Sequence, residues 1–301
     1  MNRKRVAVLV IVLLATAGFI FAQTPAPKLP SAMVYVPVGV TGPKGAVMSL
    51  KKENFVLLED GIEQTINVFY EPNSRIDIDI ILAMRALNKG RTDQNSVKIR
   101  EAIENFRHQG NSQNKYTVEE MPFGANGIFD AMSRHVTRLA EQSIATRKAV
   151  VVVTDGFESS GGEPAKTLQE YVKKFVVPIY IFYAVDPNAP NQPGPTDDIL
   201  EVARGERIYL SGGAGYEDLT RMTGGSMTQA DIDTQLRSLM EEFGRNLKNQ
   251  YVLGFRSTND ARDDKWRKLE IKVKGEPVDG VAAKDMKTKS RDRYFVAKPS
   301  K

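Results

Sequence analysis

Three carboxylates, Asp155, Glu158 and Glu163, fall in one short stretch, TDGFESSGGEPAKT over residues 154–167. Two such groups in one loop can serve as general acid and base, although acidic loops are also common on surfaces. The same stretch holds two near-misses. Gly156-Phe157-Glu158-Ser159-Ser160 misses the Gly-x-Ser-x-Gly spacing that exposes a serine nucleophile on a strand-to-helix elbow. Gly162-Glu163-Pro164-Ala165-Lys166-Thr167 has alanine where a phosphate-cradling loop needs glycine before its lysine. Only His108 and His135 could act as an imidazole base. They are not at metal-ligand spacing, and each is expected on the surface of a helix. There is no cysteine, which excludes thiolate chemistry, cysteine-ligated zinc and disulfides. No catalytic constellation is complete, so the chain reads as a non-enzyme, with a secreted hydrolase as the alternative.

Asp155 owes its place to the residues before it. Residues 149–153, AVVVV, form a short apolar run rich in β-branched valine. Such a run is a strand buried on both faces of a parallel sheet. Asp155 then sits at the carboxyl end of a central strand, where open α/β sheets hold their ligands. The plainer role is a side-chain cap of a turn.

Strands are also expected over 76–83, where IDIDIILA is polar on one face at its start, and over 177–185, with a short edge strand at 116–121. Helices are expected over 97–106, from 124–127 to about Glu141, over 167–175 and over 232–247, with short ones at 200–204 and 216–222. Residues 88–96, 110–115 and 186–198 read as polar loops. On the amino side, alternating strands are expected over 33–40, 54–59 and 65–70, with Asp60-Gly61 as a hairpin turn. On the carboxyl side they are expected over 250–256, 266–273 and 294–297, with a turn at 275–280. The fold class is therefore α/β. It is a doubly wound, mostly parallel, Rossmann-like sheet flanked by a small antiparallel β unit built from both ends of the chain. Residues 249–301 are expected to pair with 32–72, because short strands avoid open edges.

Arg3, Lys4 and Arg5 precede an apolar, uncharged run over 6–21, and Phe21-Ala22-Gln23 offers a cut after Ala22. This is the pattern of a secretory signal peptide, followed by a proline-rich linker over 23–31; a retained membrane anchor is the alternative. The chain is expected to be exported, to the periplasm, the cell envelope or outside, with no membrane span left after cleavage. The net charge of +5 falls to +2 without the three basic residues of the leader. Residues 261–301 hold 13 Lys and Arg against 7 Asp and Glu, a solvated charged face rather than a nucleic-acid site.

Residues 76–247 resemble a von Willebrand factor type A (VWA) domain. Two flanks, MSLKKENFVLLEDGIEQTINVFYEP over 48–72 and LKNQYVLGFRSTND over 247–260, resemble those of a bacterial exported VWA-related family known mainly from acidobacteria. LTRMTGGSM over 219–227 resembles the segment before that family's last domain helix. The resemblance implies a metal site at the carboxyl edge of the sheet. Its pattern is Asp-x-Ser-x-Ser after the first strand, a threonine opening a later helix, and an aspartate after the fourth strand. Those are hard oxygen ligands suited to Mg²⁺ or Ca²⁺.

Carried over, the first window falls on Ala83-Met84-Arg85-Ala86-Leu87, so Ala83, Arg85 and Leu87 bring no ligand oxygen. The threonine position falls on Asn126 of GANGIFDA, and only Asp155 remains in place. The site is thus expected to be degenerate and to hold no metal, with Asp155 and Asn126 as the residual donors if Mg²⁺ or Ca²⁺ binds. Arg85 is expected either to pair with Asp155 in place of the cation or to point to solvent. The family fits a further strand and helix between the first two motifs. Only 42 residues separate Ala83 from Asn126, so the sheet has lost an element or residues 115–121 are its remnant. The implied function is a non-enzymatic protein-interaction module, adhesive or scaffolding, with protein partners. Metal-dependent adhesion through Asp155 is the alternative.

Overall fold

The computed structural model describes residues 33–88, 93–121, 127–142, 146–158, 177–186, 200–201, 207–210 and 213–296. The leader and linker, the helix expected over 167–175 and most of the loop over 186–198 lie outside them.

Alternation builds the amino-terminal strands. β1 (Met33–Gly42) buries every second residue, Val34, Val36, Val38 and Val40, and a turn leads into β2 (Gly45–Ala46). β3 (Phe55–Glu59) and β4 (Ile62–Gln64) form a hairpin on Asp60-Gly61. Both turn residues have positive φ, 48° and 85°, as the mirror-image turns favoured in two-residue hairpins require. β5 (Ile66–Tyr70) follows.

The central run alternates strand and helix: β6 (Ile76–Ala83), α1 (Arg85–Asn88), α2 (Gln94–Gln109), β7 (Lys115–Glu120), α3 (Ile128–Glu141), β8 (Arg147–Thr154), β9 (Phe157–Glu158), β10 (Ile179–Val185), β11 (Leu200–Glu201), β12 (Arg207–Leu210), α4 (Gly213–Thr223), β13 (Met227–Asp231) and α5 (Leu236–Asn249). Five of the strands form one sheet in the order β13-β10-β8-β6-β7, parallel throughout. Helices cover both faces. Ile78, Ile80 and Leu82 of β6 pack with Ile99, Ile103 and Phe106 of α2 and Met240 of α5. Ile81 packs on the other face with Met132 and Val136 of α3 and Leu219 of α4. Val150, Val151, Val152 and Val153 are fully buried, as a strand covered on both faces must be.

Several boundaries differ from expectation for local reasons. Asp93 caps α2 by accepting from Ser96 N at 3.1 Å, so the helix starts before the expected Val97. Residues 227–231, MTQAD, form an edge strand, and the helix expected from residue 232 starts only at Leu236. Leu200 and Glu201 pair with Ile208 and Arg207 in a short ribbon instead of opening a helix. β7 lies parallel to β6 at the sheet edge, and no further strand pairs outside it among the described residues. The loop before β7 is tied down: the Asn114 side chain accepts from Ile76 N at 2.9 Å. Arg147, buried at the start of β8, donates to the Leu247 carbonyl at 2.7 Å. That oxygen is among the last carbonyls of α5, which lack partners within the helix. Burial pushes the Arg147 guanidinium down to about 10, so it stays charged at neutral pH.

β14 (Tyr251–Arg256), β15 (Lys265–Val273), β16 (Lys287–Lys289) and β17 (Arg293–Val296) complete the chain. They interleave with the amino-terminal strands in two antiparallel sheets. One runs β16-β1-β14-β5, with β2 on β1, and the other runs β17-β15-β3-β4. Their inner faces share a core that includes Val36, Leu57, Tyr251, Phe255 and Ile271. Tyr251 takes its hydroxyl into that core, donating to Val47 O and accepting from Leu50 N, each at 3.0 Å. The fold is therefore the expected one: a VWA-like doubly wound parallel sheet, with an antiparallel β unit made from both ends of the chain. Among the described residues no helix is long and apolar enough to cross a membrane.

Candidate functional site

Ala83 ends β6 opposite Thr154 of β8, so the residues just beyond both strand ends meet at the carboxyl edge of the sheet. Arg85 and Asp155 are those residues. One oxygen of Asp155, Oδ2, accepts from the backbone N–H of Arg85 at 3.1 Å and from its Nε–H at 3.1 Å. The Asp155 side chain is 7% exposed and that of Arg85 is 32% exposed. The carboxylate is thus nearly out of water, while the guanidinium keeps contact with it. A charge-assisted pair of this kind is stronger than a neutral hydrogen bond.

The local chain explains the geometry. Met84, Ala86 and Leu87 are buried in the core beside α2, which leaves Arg85 to face the edge. On the other strand, Gly156 has φ 77° and donates its N–H to Thr154 Oγ1 at 3.1 Å. A Cβ there would overlap the Tyr183 side chain beneath it, so glycine lets the chain turn away directly after Asp155.

The structure therefore brings Ala83, Arg85 and Asp155 together and turns Leu87 into the core. Asn126 lies outside the described residues. Ala83 and Leu87 have no side-chain oxygen, and a guanidinium already stands on the Asp155 carboxylate. This donor set does not suit a divalent cation, which prefers several oxygens and no competing positive charge. Among the described residues no group of three or more Asp, Glu or His side chains is placed to hold a metal ion.

A second polar cluster escaped the sequence reading. Asp77 and Asp79 project from the face of β6 that packs on α3, and both are buried. Asp79 Oδ2 lies 2.7 Å from His135 Nδ1 and 3.0 Å from Arg138 Nε, and its other oxygen accepts from Arg138 Nη2. His135 Nε2 faces Glu119 Oε2 of β7 at 2.8 Å, and Arg134 Nη2 donates to Glu119 Oε1 at 2.8 Å. Asp77 accepts from Arg75 Nε at 3.0 Å.

His135 is thus not a surface residue of its helix, whereas His108 is exposed as expected. Burial alone would lower the His135 pKa, but the hydrogen bonds to Asp79 and then Glu119 outweigh it and raise it above the ordinary value. Both ring nitrogens face carboxylates, which favours the imidazolium that donates from both. In that form the ring has no lone pair left to take a proton or bind a metal. The signal was present in the IDID alternation: two carboxylates on a face that must pack on a helix need cations from that helix. The Glu158 backbone pairs with Tyr209 in a short ribbon, while Glu163 and the stretch 162–167 lie outside the described residues.

No protein-family model and no curated protein matches the chain. Solved structures similar to it include two from Bacteroides. One is described as the conserved hypothetical protein BatB from Bacteroides thetaiotaomicron, at 11% identity and a TM-score of 0.38, covering 58% of this chain and 97% of that one. The other is described as an aerotolerance-related membrane protein from Bacteroides fragilis NCTC 9343, at 11% identity and a TM-score of 0.35, covering 58% and 98%. Likeness at this level says nothing of function. The VWA-like architecture stands on the strand order and on the strand-end position of Asp155.

Proposed function

We propose that the protein is an exported, non-enzymatic interaction module of the cell envelope, adhesive or scaffolding, that works without a metal ion. We place it with the bacterial exported VWA-related proteins that its flanks resemble. The observation that carries the metal-free reading is the Arg85–Asp155 pair. A guanidinium on the Asp155 carboxylate opposes the binding of a cation at this edge, which supports a metal-free reading. Export is supported by the basic start and the apolar run over 6–21. The absence of enzymatic activity is supported by the engagement of both His135 nitrogens and by the missing elbow and phosphate-loop spacings.

The test has two parts. Titration with Mg²⁺ or Ca²⁺ should leave the melting temperature where a matched salt control leaves it, since a ligand that binds only the native state must raise it. A saturable rise that EDTA reverses and Asp155→Ala removes would establish metal-dependent adhesion instead. Immobilised protein should then capture the same envelope proteins with and without EDTA. Capture that vanishes with chelator contradicts the metal-free reading, and no capture above a blank resin contradicts the interaction role.

A further inference from the structure

β7 is an edge strand whose outer side is unpaired among the described residues. In a parallel pair, backbone groups face the neighbour and the outside on alternate residues. Met121 donates its N–H inward to Leu82 O at 2.9 Å. Lys115, Thr117 and Glu119 share that inward orientation, and Tyr116, Val118 and Glu120 present their N–H and C=O groups outward. The strand carries charges at its two ends, Lys115, Glu119 and Glu120, but no proline and no bulge to blunt its middle. Its six residues run in register with β6 without a bulge, and Val118 at its middle is 41% exposed.

We propose that this edge pairs with the same edge of a second copy of the chain. The two β7 strands run antiparallel about a two-fold axis through Val118, joining two five-stranded sheets into one. Self-complementarity is what selects this occupant. In an antiparallel ladder, outward residues must oppose outward residues and exchange two hydrogen bonds at each pair. The symmetric register that satisfies this sets Val118 against the partner's Val118 and Tyr116 against the partner's Glu120. On the other face it sets Thr117 against the partner's Glu119. No like charges are opposed, which would otherwise disfavour the pairing. Glu120 is held by Arg100 at 2.8 and 3.0 Å, and Arg107, 5.5 Å from the centre of the Tyr116 ring, is paired with Glu104 at 2.7 Å, so each copy brings these charges to the seam already neutralised. The exposed valine leaves water against its own copy.

Sedimentation velocity over a concentration series tests this on the purified protein. A concentration-dependent dimer is expected. Val118→Pro should abolish it, because the Val118 N–H points out of the sheet and proline removes no bond inside the monomer. Val118→Lys alone and Val118→Glu alone should each be monomeric, because like charges would meet on the axis. An equimolar mixture of those two variants should recover a heterodimer. Unchanged far-ultraviolet circular dichroism and melting in each variant separate lost association from lost fold. A wild-type protein that is monomeric at every concentration overturns self-pairing and leaves the edge to a strand of another protein. A dimer that survives both Val118→Pro and Val118→Lys also overturns it, as does a mixture that fails to associate.

Discussion

Arg85 and Asp155 should be energetically coupled, and a double-mutant cycle reads that coupling directly. Arg85→Met keeps the side chain's length and apolar stem but removes the guanidinium. Asp155→Asn keeps an acceptor for the Arg85 backbone N–H but removes the charge. A hydrogen bond to a charged group contributes about 1.5–3 kcal/mol when water is excluded. Asp155 meets that condition, but Arg85 keeps a third of its side chain in water. Screening therefore reduces the expected coupling to about 1 kcal/mol, between the buried and exposed limits. Each single variant should lose stability, and the double variant should lose less than the sum. Urea unfolding followed at the helical band suits the measurement, because α1 to α5 all belong to the parallel-sheet unit. Trp266, the only tryptophan, lies on β15 with the Arg221 guanidinium of α4 5.9 Å from its ring centre, so it reports the antiparallel unit where that unit meets α4. Strict additivity of the helical-band values would refute the pairing and reduce Arg85 to a solvated residue. Coincident transitions in the two signals would mean that the two units unfold as one.

Three further outcomes follow from the same geometry. The folded-state pKa of His135 is raised, so its contribution to stability should be fully present below about 6.5 and lost as pH rises through the folded value. Melting curves of wild type and His135→Gln should thus differ most at acid pH and draw together as pH rises through the raised folded value, whereas a constant gap would mean that the ring does not titrate. A Cβ on Gly225 would overlap the Ile179 backbone carbonyl. Gly225→Ala should therefore cost about 1–3 kcal/mol, or several degrees of melting temperature, and an unchanged melting temperature would contradict the close approach of α4's end to β10. Deleting residues 249–301 removes the strands that pair with β1, β3 and β5. Limited proteolysis should then cut within 33–70, and protection equal to that of the full chain would show that the amino-terminal strands fold alone.

Period and punctuation carried most of the architecture. The valine run of β8, the alternation of β1 and β15, and the Asp60-Gly61 turn each announce their element through side-chain spacing that solvent and core impose locally. β13 was illegible because an edge strand need bury only one residue, and only Ala230 of MTQAD is buried. The β11–β12 ribbon is too short to show a period at all. At the sheet edge, the sequence marked Arg85 and Asp155 as alternatives, pair or drift. Only the register of β6 against β8, a long-range property, brings them within 3.1 Å. His135 was misplaced for a related reason. A lone histidine on a helix looks exposed unless Asp79, 56 residues earlier, is known to lie beneath it.

The antiparallel pairing of β5 with β14 sets Tyr70 opposite Val252, so the parallel-sheet unit leaves and rejoins the chain at neighbouring strands. Its entrance and exit are thus separated by about one strand spacing, near 4.8 Å. Tension applied to the two ends of residues 33–296 enters through β1 in one antiparallel sheet and β17 in the other. The load is borne by the packing between those sheets and by the β1–β14 ladder, and the parallel sheet hangs to the side of the line of force. Under pull, the antiparallel unit yields first. The edge that carries Arg85 and Asp155 keeps its shape until that unit has opened.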